Sequence, residues 1–76
     1  MEITQPDLGT TRMVFSLWYV ELGEQVFEGD RVAEILIPGA TFDIAAPITG
    51  VLIERRKHPL DPVAPGEVLG AIEEQP

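Results

Sequence analysis

The sequence contains no cysteine, one lysine and one histidine in 76 residues. Without cysteine there is no disulfide, thiol nucleophile, iron–sulfur cluster or cysteine-based zinc site. His58 alone leaves too few ligands for a histidine-rich metal site and no second imidazole for a proton relay. The sequence also lacks a nucleophile–base pairing and a phosphate-binding glycine loop. We therefore expect a protein that is not an enzyme and that binds no metal.

Basic residues are scarce. Five lysines and arginines stand against 13 acidic residues, and the formal net charge is −8. This charge opposes binding to nucleic-acid phosphates and to anionic membrane surfaces. No apolar run approaches the roughly 20 residues of a membrane span, and the N-terminus lacks the basic and apolar stretches of a secretory signal. The sequence predicts an acidic cytoplasmic protein with no nucleic-acid or membrane partner.

The length of the chain and its frequent glycines and prolines favour one small all-β domain over residues 1–76. Seven glycines and seven prolines divide the sequence into segments of strand length. Gly23 and Gly29 argue against a helix across residues 20–30. The predicted strands, rich in β-branched and aromatic residues, cover residues 14–20, 32–37, 41–44, 50–54 and 68–72.

An internal repeat appears when the sequence is shifted by 37 residues. Val14 falls on Val51, Phe15 on Leu52, Glu24 on Asp61, Val26 on Val63, Gly29 on Gly66, Asp30 on Glu67, Val32 on Leu69 and Ile35 on Ile72. Each half contains Val-x-x-Gly followed by an acid, which predicts a turn whose carboxylate accepts hydrogen bonds from nearby backbone amides. The repeat predicts two quasi-equivalent halves that share one core.

Several segments together resemble a lipoyl domain, most closely that of the dihydrolipoyl acyltransferases in 2-oxoacid dehydrogenase complexes. They are Gln-Pro-Asp-Leu-Gly at 5–9, Leu-Trp-Tyr-Val at 17–20, Gly-Glu-Gln-Val-Phe-Glu-Gly-Asp at 23–30, Ala-Glu-Ile at 33–35, Ala-Pro-Ile-Thr-Gly-Val-Leu at 46–52 and Val-Ala-Pro-Gly-Glu at 63–67. The resemblance covers essentially the whole chain. It implies the flattened β-barrel, or barrel-sandwich hybrid, of lipoyl and biotinyl carriers, with two four-stranded sheets and quasi-two-fold symmetry.

The sequence departs from the family at the residue that carries the chemistry. Lipoyl domains hold Asp-Lys-Ala in a hairpin turn, and biotinyl carriers hold Met-Lys-Met; the lysine is acylated. Eight residues before Pro47 that position is Gly39, and the turn reads Pro38, Gly39, Ala40. Because glycine has no side chain, neither amide link can form, and the resemblance therefore implies no lipoyl or biotinyl cofactor here. Three residues before the lysine, where the family has an acid, this sequence has Leu36. Because both flanking acids are lost and Pro-Gly suits a type II turn, natural divergence explains the change better than an engineered knockout.

Lys57, the only lysine, is the one side chain that could replace the missing acceptor. It lies 18 residues beyond the hairpin position with no acyl-lysine motif around it, and we expect a solvated loop cation. His58 is expected to be a turn residue and Trp18 to be packed in or beside the core. The carboxylates at residues 21, 24, 28 and 30 lack the spacing of a calcium loop, which favours a solvated acidic face.

Leu36, Ile37 and Pro38 make the hairpin apolar where relatives are acidic. They are a candidate docking site for a protein partner, or they fold back onto the sheet. The segment between Pro6 and Trp18, which in the family helps to select the partner enzyme, is about two residues shorter than usual. We therefore expect a non-catalytic interaction or structural module whose partner is a protein, such as a component of a multienzyme complex.

Two alternatives remain. One is a genuine lipoyl or biotinyl carrier domain of a 2-oxoacid dehydrogenase or carboxylase system. In that case the acceptor site was altered, or Gly39 is not its true equivalent, and acylation of Lys57 is predicted. The other is the lipoyl-like part of an efflux adaptor. Such adaptors insert a long helical segment at the hairpin, and Pro38-Gly39 leaves no room for one.

Overall fold

The computed structural model describes residues 1–75, and within them the regular structure consists of eight β-strands. They are β1 (Glu2–Thr4), β2 (Met13–Trp18), β3 (Gln25–Val26), β4 (Arg31–Ile37), β5 (Ala40–Ala45), β6 (Gly50–Arg55), β7 (Pro62–Val63) and β8 (Val68–Glu74). The described part of the chain has no helix, and residues 20–30, where Gly23 and Gly29 argued against one, form two turns separated by β3. In particular, it contains no helix with the length and hydropathy of a membrane span.

The strands form two four-stranded antiparallel sheets, ordered β1-β8-β6-β3 and β5-β4-β2-β7. The second sheet carries the β4–β5 hairpin and is called the hairpin sheet below; the first is called the terminal sheet. The all-β prediction and the two four-stranded sheets are confirmed. The sheets are not closed into a barrel, because no strand of one sheet pairs with a strand of the other, so the architecture is the sandwich form of the expected fold.

The strand boundaries differ from the sequence-based ones in two ways. The strand expected at residues 14–20 is β2 and ends at Trp18, and β8 continues to Glu74 beyond the expected end at residue 72. The residue pattern alone did not indicate β1, β3 and β7. These strands have two or three residues, too few to show the alternation of apolar and polar side chains.

The 37-residue repeat is confirmed in the backbone pairing. It maps β2 onto β6, β3 onto β7 and β4 onto β8, and each mapped strand occupies the same place in its own sheet. The irregularity between Phe15 and Leu17 in β2 recurs between Leu52 and Glu54 in β6. The outer strands β5 and β1 are offset by 41 instead, because the chain between β1 and β2 is four residues longer than the chain between β5 and β6.

One hydrophobic core lies between the sheets and draws on both halves. Equivalent residues of the two halves are buried together: Phe15 with Leu52, Val26 with Val63, Val32 with Leu69 and Ile35 with Ile72. Each half exposes an apolar inner face that only the other can cover. The pairing explains how a chain this short encloses a core.

Candidate functional site

The β4–β5 hairpin closes with a two-residue turn. Ile37 pairs with Ala40, and Pro38 and Gly39 lie between them, with Gly39 at a φ of +75°. Proline presets the first turn position and glycine adopts the positive φ of the second, as in a type II turn. No other atom lies within 4 Å of the place that a Cβ on Gly39 would occupy. The backbone conformation, and not crowding, therefore favours glycine here, and the turn prediction is confirmed.

The tip of this hairpin offers no group for covalent attachment. Pro38, Gly39 and Ala40 carry neither an amine, a hydroxyl nor a carboxylate. An amide link to lipoate or biotin needs a primary amine, and the chain has only one lysine side chain, at residue 57.

Lys57 follows β6 and is held by its surroundings. Its Nζ donates to the carbonyl oxygen of Pro62 at 3.2 Å and forms an ion pair with Glu67, and only 17% of the side chain is exposed. The prediction of a solvated loop cation is therefore wrong. Lys57 is not freely solvated because Glu67, which belongs to the second turn unit, faces the loop that carries Lys57.

Two pairs of equivalent acids cap turns, and the repeat predicts the first of these pairs. The Asp30 carboxylate accepts the N–H of Phe27, and Glu67 accepts the N–H of Ala64 in the equivalent position, both at 2.9 Å. A second pair is arranged in the same way: the Glu24 carboxylate accepts the N–H of Glu21 at 3.0 Å, and the Asp61 carboxylate accepts that of His58 at 2.9 Å. Two of the four candidate cation ligands, Glu24 and Asp30, thus serve as turn caps. Across residues 1–75 no group of three or more acidic or imidazole side chains is placed to hold a metal ion.

Lysine also affects the ionisation of Glu67. The hydrogen bond from Lys57 and the backbone N–H of Ala64 lower the pKa of the Glu67 carboxyl below its ordinary value. The carboxylate form is therefore the one that holds the Lys57 loop against the second turn.

Trp18 and His58 lie where they were expected. Trp18 is half-buried, its ring centroid is 5.1 Å from that of Phe15, and its indole N–H donates to the carbonyl oxygen of Lys57 at 2.9 Å. His58 opens a turn, and 78% of its side chain is exposed. The indole links the end of β2 to the loop after β6 and so has a structural role.

A shallow apolar groove runs beside the hairpin. It is lined by Thr11, Arg12, Met13, Val14, Leu36, Ile37, Pro38, Leu60 and Pro62. Ile37 packs against the core, as expected for a residue that folds back onto the sheet, whereas Pro38 is exposed. Leu36 lies between these extremes and is half-buried. Docking of a partner at these residues stays a prediction.

Sequence reasoning missed Leu60, the most exposed of the large apolar residues that line the groove. Its side chain is 77% exposed, and its φ of +74° is the only positive φ of a non-glycine residue among residues 1–75. The signal was available in the repeat, because subtracting 37 gives Gly23, whose φ is +86°. A leucine thus occupies a left-handed backbone position where the other half of the molecule has glycine.

Comparison with known proteins identifies the family. The profile of the biotin/lipoyl family, described as "biotin-requiring enzyme", matches residues 1–72. The chain belongs to this family. The match includes the hairpin and both turn units, so the likeness rests on the whole fold and not on one motif.

A solved structure agrees. The chain is similar to the lipoyl domain of the 2-oxoglutarate dehydrogenase complex from Azotobacter vinelandii, with 25% sequence identity and a TM-score of 0.79. The superposition covers 97% of this chain and 96% of that domain. No curated protein sequence matches the chain. The fold of a lipoyl-type carrier domain is thereby shown.

Proposed function

We propose that residues 1–76 form a lipoyl-like domain that carries neither lipoate nor biotin and acts as a non-catalytic protein-interaction module. Its partner is a protein, such as a component of a multienzyme complex. The family membership and the match to a 2-oxoglutarate dehydrogenase lipoyl domain support the setting. The composition of the hairpin supports the loss of the carrier role.

The decisive observation is the turn itself. Carrier domains of this family present a lysine at the hairpin tip, and the tip here is Pro38-Gly39 in a conformation that suits those two residues. Leu36 replaces the acid that assists recognition by the ligase. The one lysine of the chain lies in another loop and is ion-paired with Glu67. The backbone conformation at Gly39, the Pro-Gly sequence of the turn and the position of the only lysine therefore all favour a turn that no longer accepts an acyl group.

Intact mass spectrometry tests the proposal. The protein is co-expressed with a lipoate ligase or with a biotin ligase, each supplied with its acid, and the lipoyl domain from the Azotobacter complex serves as the positive control. We expect that domain to gain mass with the lipoate ligase and this protein to keep its bare mass. An added lipoyl or biotinyl group that Lys57→Arg abolishes would contradict the proposal and establish a carrier with a displaced acceptor.

A gain-of-function variant locates the reason for the loss. Pro38→Asp combined with Gly39→Lys restores Asp-Lys-Ala at the tip, since Ala40 is already present. We expect partial lipoylation, because a lysine at a φ of +75° has to be accommodated by some movement of the turn. Gly39→Ala is the matched control for backbone strain without an amine. If the double variant folds and stays unmodified, surfaces beyond the turn have also diverged from those that the ligase reads.

A further inference from the structure

The repeat supplies an internal control for the outward-facing residues of β2, β4 and β7 in the hairpin sheet. Val14 lies between Leu36 and Pro62 in a row across β4, β2 and β7. Adding 37 gives the equivalent row of the terminal sheet, in which Val51 lies between Glu73 and Gln25. The two rows have the same backbone pairing and the same place in the fold. The fold therefore accepts polar residues at both outer positions, and the leucine and proline of the hairpin sheet are not required by it.

The contrast continues along the strand that leads into the hairpin. Leu36, Ile37 and Pro38 are equivalent to Glu73, Glu74 and Gln75. We call Val14, Leu36, Ile37, Pro38, Leu60 and Pro62 the hairpin face, and their equivalents Val51, Glu73, Glu74, Gln75, Gly23 and Gln25 the terminal face. The hairpin face consists of apolar residues, of which Pro38, Leu60 and Pro62 are exposed, whereas the terminal face has two glutamates and two glutamines around Val51, with the exposed Ile53 two residues further along β6. Contiguous exposed apolar surface marks interaction sites in soluble proteins.

Leu60 is the strongest residue of the contrast. It combines a left-handed backbone conformation with 77% exposure, and both are unfavourable for leucine in the isolated protein. Its equivalent, Gly23, meets the same backbone requirement without strain. Leu60 therefore lowers stability and makes few contacts within its own molecule. Binding of another molecule over this side chain would explain why a leucine is present.

Arg12 supplies the charge of the site. It is the only ionisable residue that lines the groove. The side chains of the other four cations are engaged: Arg31 with Asp43, Arg56 with Glu54, Lys57 with Glu67, and Arg55 with the carbonyl oxygen of Val20. Within residues 1–75 the guanidinium of Arg12 has no hydrogen bond and no carboxylate within 4.0 Å. An unpaired cation at an apolar groove, in a chain of net charge −8, is complementary to a carboxylate on the occupant.

We infer that the hairpin face is the docking site for a segment of a partner protein that presents apolar side chains together with an aspartate or glutamate. The apolar side chains cover Leu60, Leu36 and Pro62, and the carboxylate pairs with Arg12. This inference rests on the proposed function, since it names the partner chemistry of that module. A second copy of the chain is disfavoured because two molecules of charge −8 repel one another.

Selection from a phage-displayed library of random peptides on the intact protein tests the inference. We expect the enriched peptides to combine apolar residues with at least one aspartate or glutamate, and synthetic copies to bind in solution. Replacing that acid by its amide should weaken binding by roughly tenfold, the typical effect of losing one charged pair at an interface. Enrichment of basic peptides, or no enrichment at all, would overturn the proposed chemistry.

Matched variants place the peptide on one face. Leu60→Asn removes the apolar side chain but retains a residue that tolerates a positive φ, and Val14→Asn changes the centre of the row. Each should weaken peptide binding by roughly tenfold or more. Val51→Asn is the control, because Val51 has the same position and a similar half-buried state on the terminal face. Equal losses for Val14→Asn and Val51→Asn would overturn the placement.

Sedimentation of the unliganded protein tests whether a second copy of the chain occupies the hairpin face instead. We expect a monomer at the concentrations used for peptide titration, with Leu60→Asn sedimenting identically. A dimer that Leu60→Asn dissociates would assign the face to a second copy and overturn the inference. The proposed function is judged separately by the mass of the co-expressed protein, which peptide binding does not affect. A bare mass with no face-specific peptide binding therefore refutes only the inference.

Discussion

The two sheets of the molecule bury apolar residues at equivalent inner positions but differ at several outer positions. Equivalent inner positions hold Phe15 and Leu52, or Ile35 and Ile72, and all are fully buried. At equivalent outer positions Leu36 is matched by Glu73 and Pro62 by Gln25. Since the backbone is the same, the fold requires the inner residues but leaves the outer ones free. The apolar outer residues of the hairpin sheet need a separate explanation, and partner binding provides one.

The largest expected effect concerns the inner faces. Phe15→Ala should lower the free energy of unfolding by about 3–5 kcal/mol and Leu52→Ala by about 2–5 kcal/mol, because each leaves a cavity in the shared core. Urea denaturation followed by Trp18 fluorescence measures both. A loss below about 1 kcal/mol for either variant would show that one half contributes little to the core and would break the equivalence.

An exchange at the left-handed turn positions should have an intermediate effect. Gly23→Leu should destabilise the protein by about 1–2 kcal/mol, since the space around Gly23 is open and only its φ of +86° opposes a side chain. Leu60→Gly relieves the same strain but makes the unfolded chain more flexible, so we expect a change within about 1 kcal/mol of zero.

Thermal unfolding of the two variants distinguishes the positions. A strongly destabilised Leu60→Gly protein would mean that Leu60 supports the fold of the isolated domain. In that case its exposure would no longer point to a partner.

A smaller effect concerns the turn cap at Glu67, whose contribution to stability depends on pH. The hydrogen bond from Lys57 lowers the pKa of Glu67, so the carboxylate stabilises the folded state above its ordinary pKa of 4.5. That contribution is lost as the pH falls from 4.5 through the lower folded-state pKa. Glu67→Gln should therefore be less stable than the parent protein at neutral pH, with the difference disappearing in acid. The effect should be smaller than that of Gly23→Leu because the ion pair is partly exposed.

Chemical denaturation at neutral pH and at pH values below 4.5 measures this difference. Lys57→Gln is the control, since it should remove most of the pH dependence while leaving the Ala64 cap in place. An unchanged difference between the Glu67→Gln and parent proteins in acid would contradict the role assigned to the ion pair.

Much of the fold is readable from the sequence because the repeat encodes it twice. The spacing of Val26, Gly29 and Asp30 and its copy predict the turns, and the structure shows both carboxylates capping the expected amides. The short strands β1, β3 and β7 are not readable, because their pairing is fixed by neighbouring strands and not by their own pattern.

The candidate site is readable only in part. The turn at Gly39 and the apolar residues before it follow from the resemblance and from turn chemistry. Lys57 was misjudged because its partner, Glu67, lies in a distant turn unit that only the folded chain brings near. The only sequence signal for Leu60 is its match to Gly23 in the repeat, since an exposed leucine alone is unremarkable on a protein surface; its positive φ is seen only in the structure.

The smallest expected effect is also the most direct test of the account. Leu36→Glu combined with Pro62→Gln gives the hairpin face the residues that the terminal face already has at those positions. We expect the free energy of unfolding to change by no more than about 0.5 kcal/mol, the range of surface substitutions away from special features. A loss of about 2 kcal/mol or more would show that the apolar residues support the fold itself. It would contradict the claim that they are present for a partner.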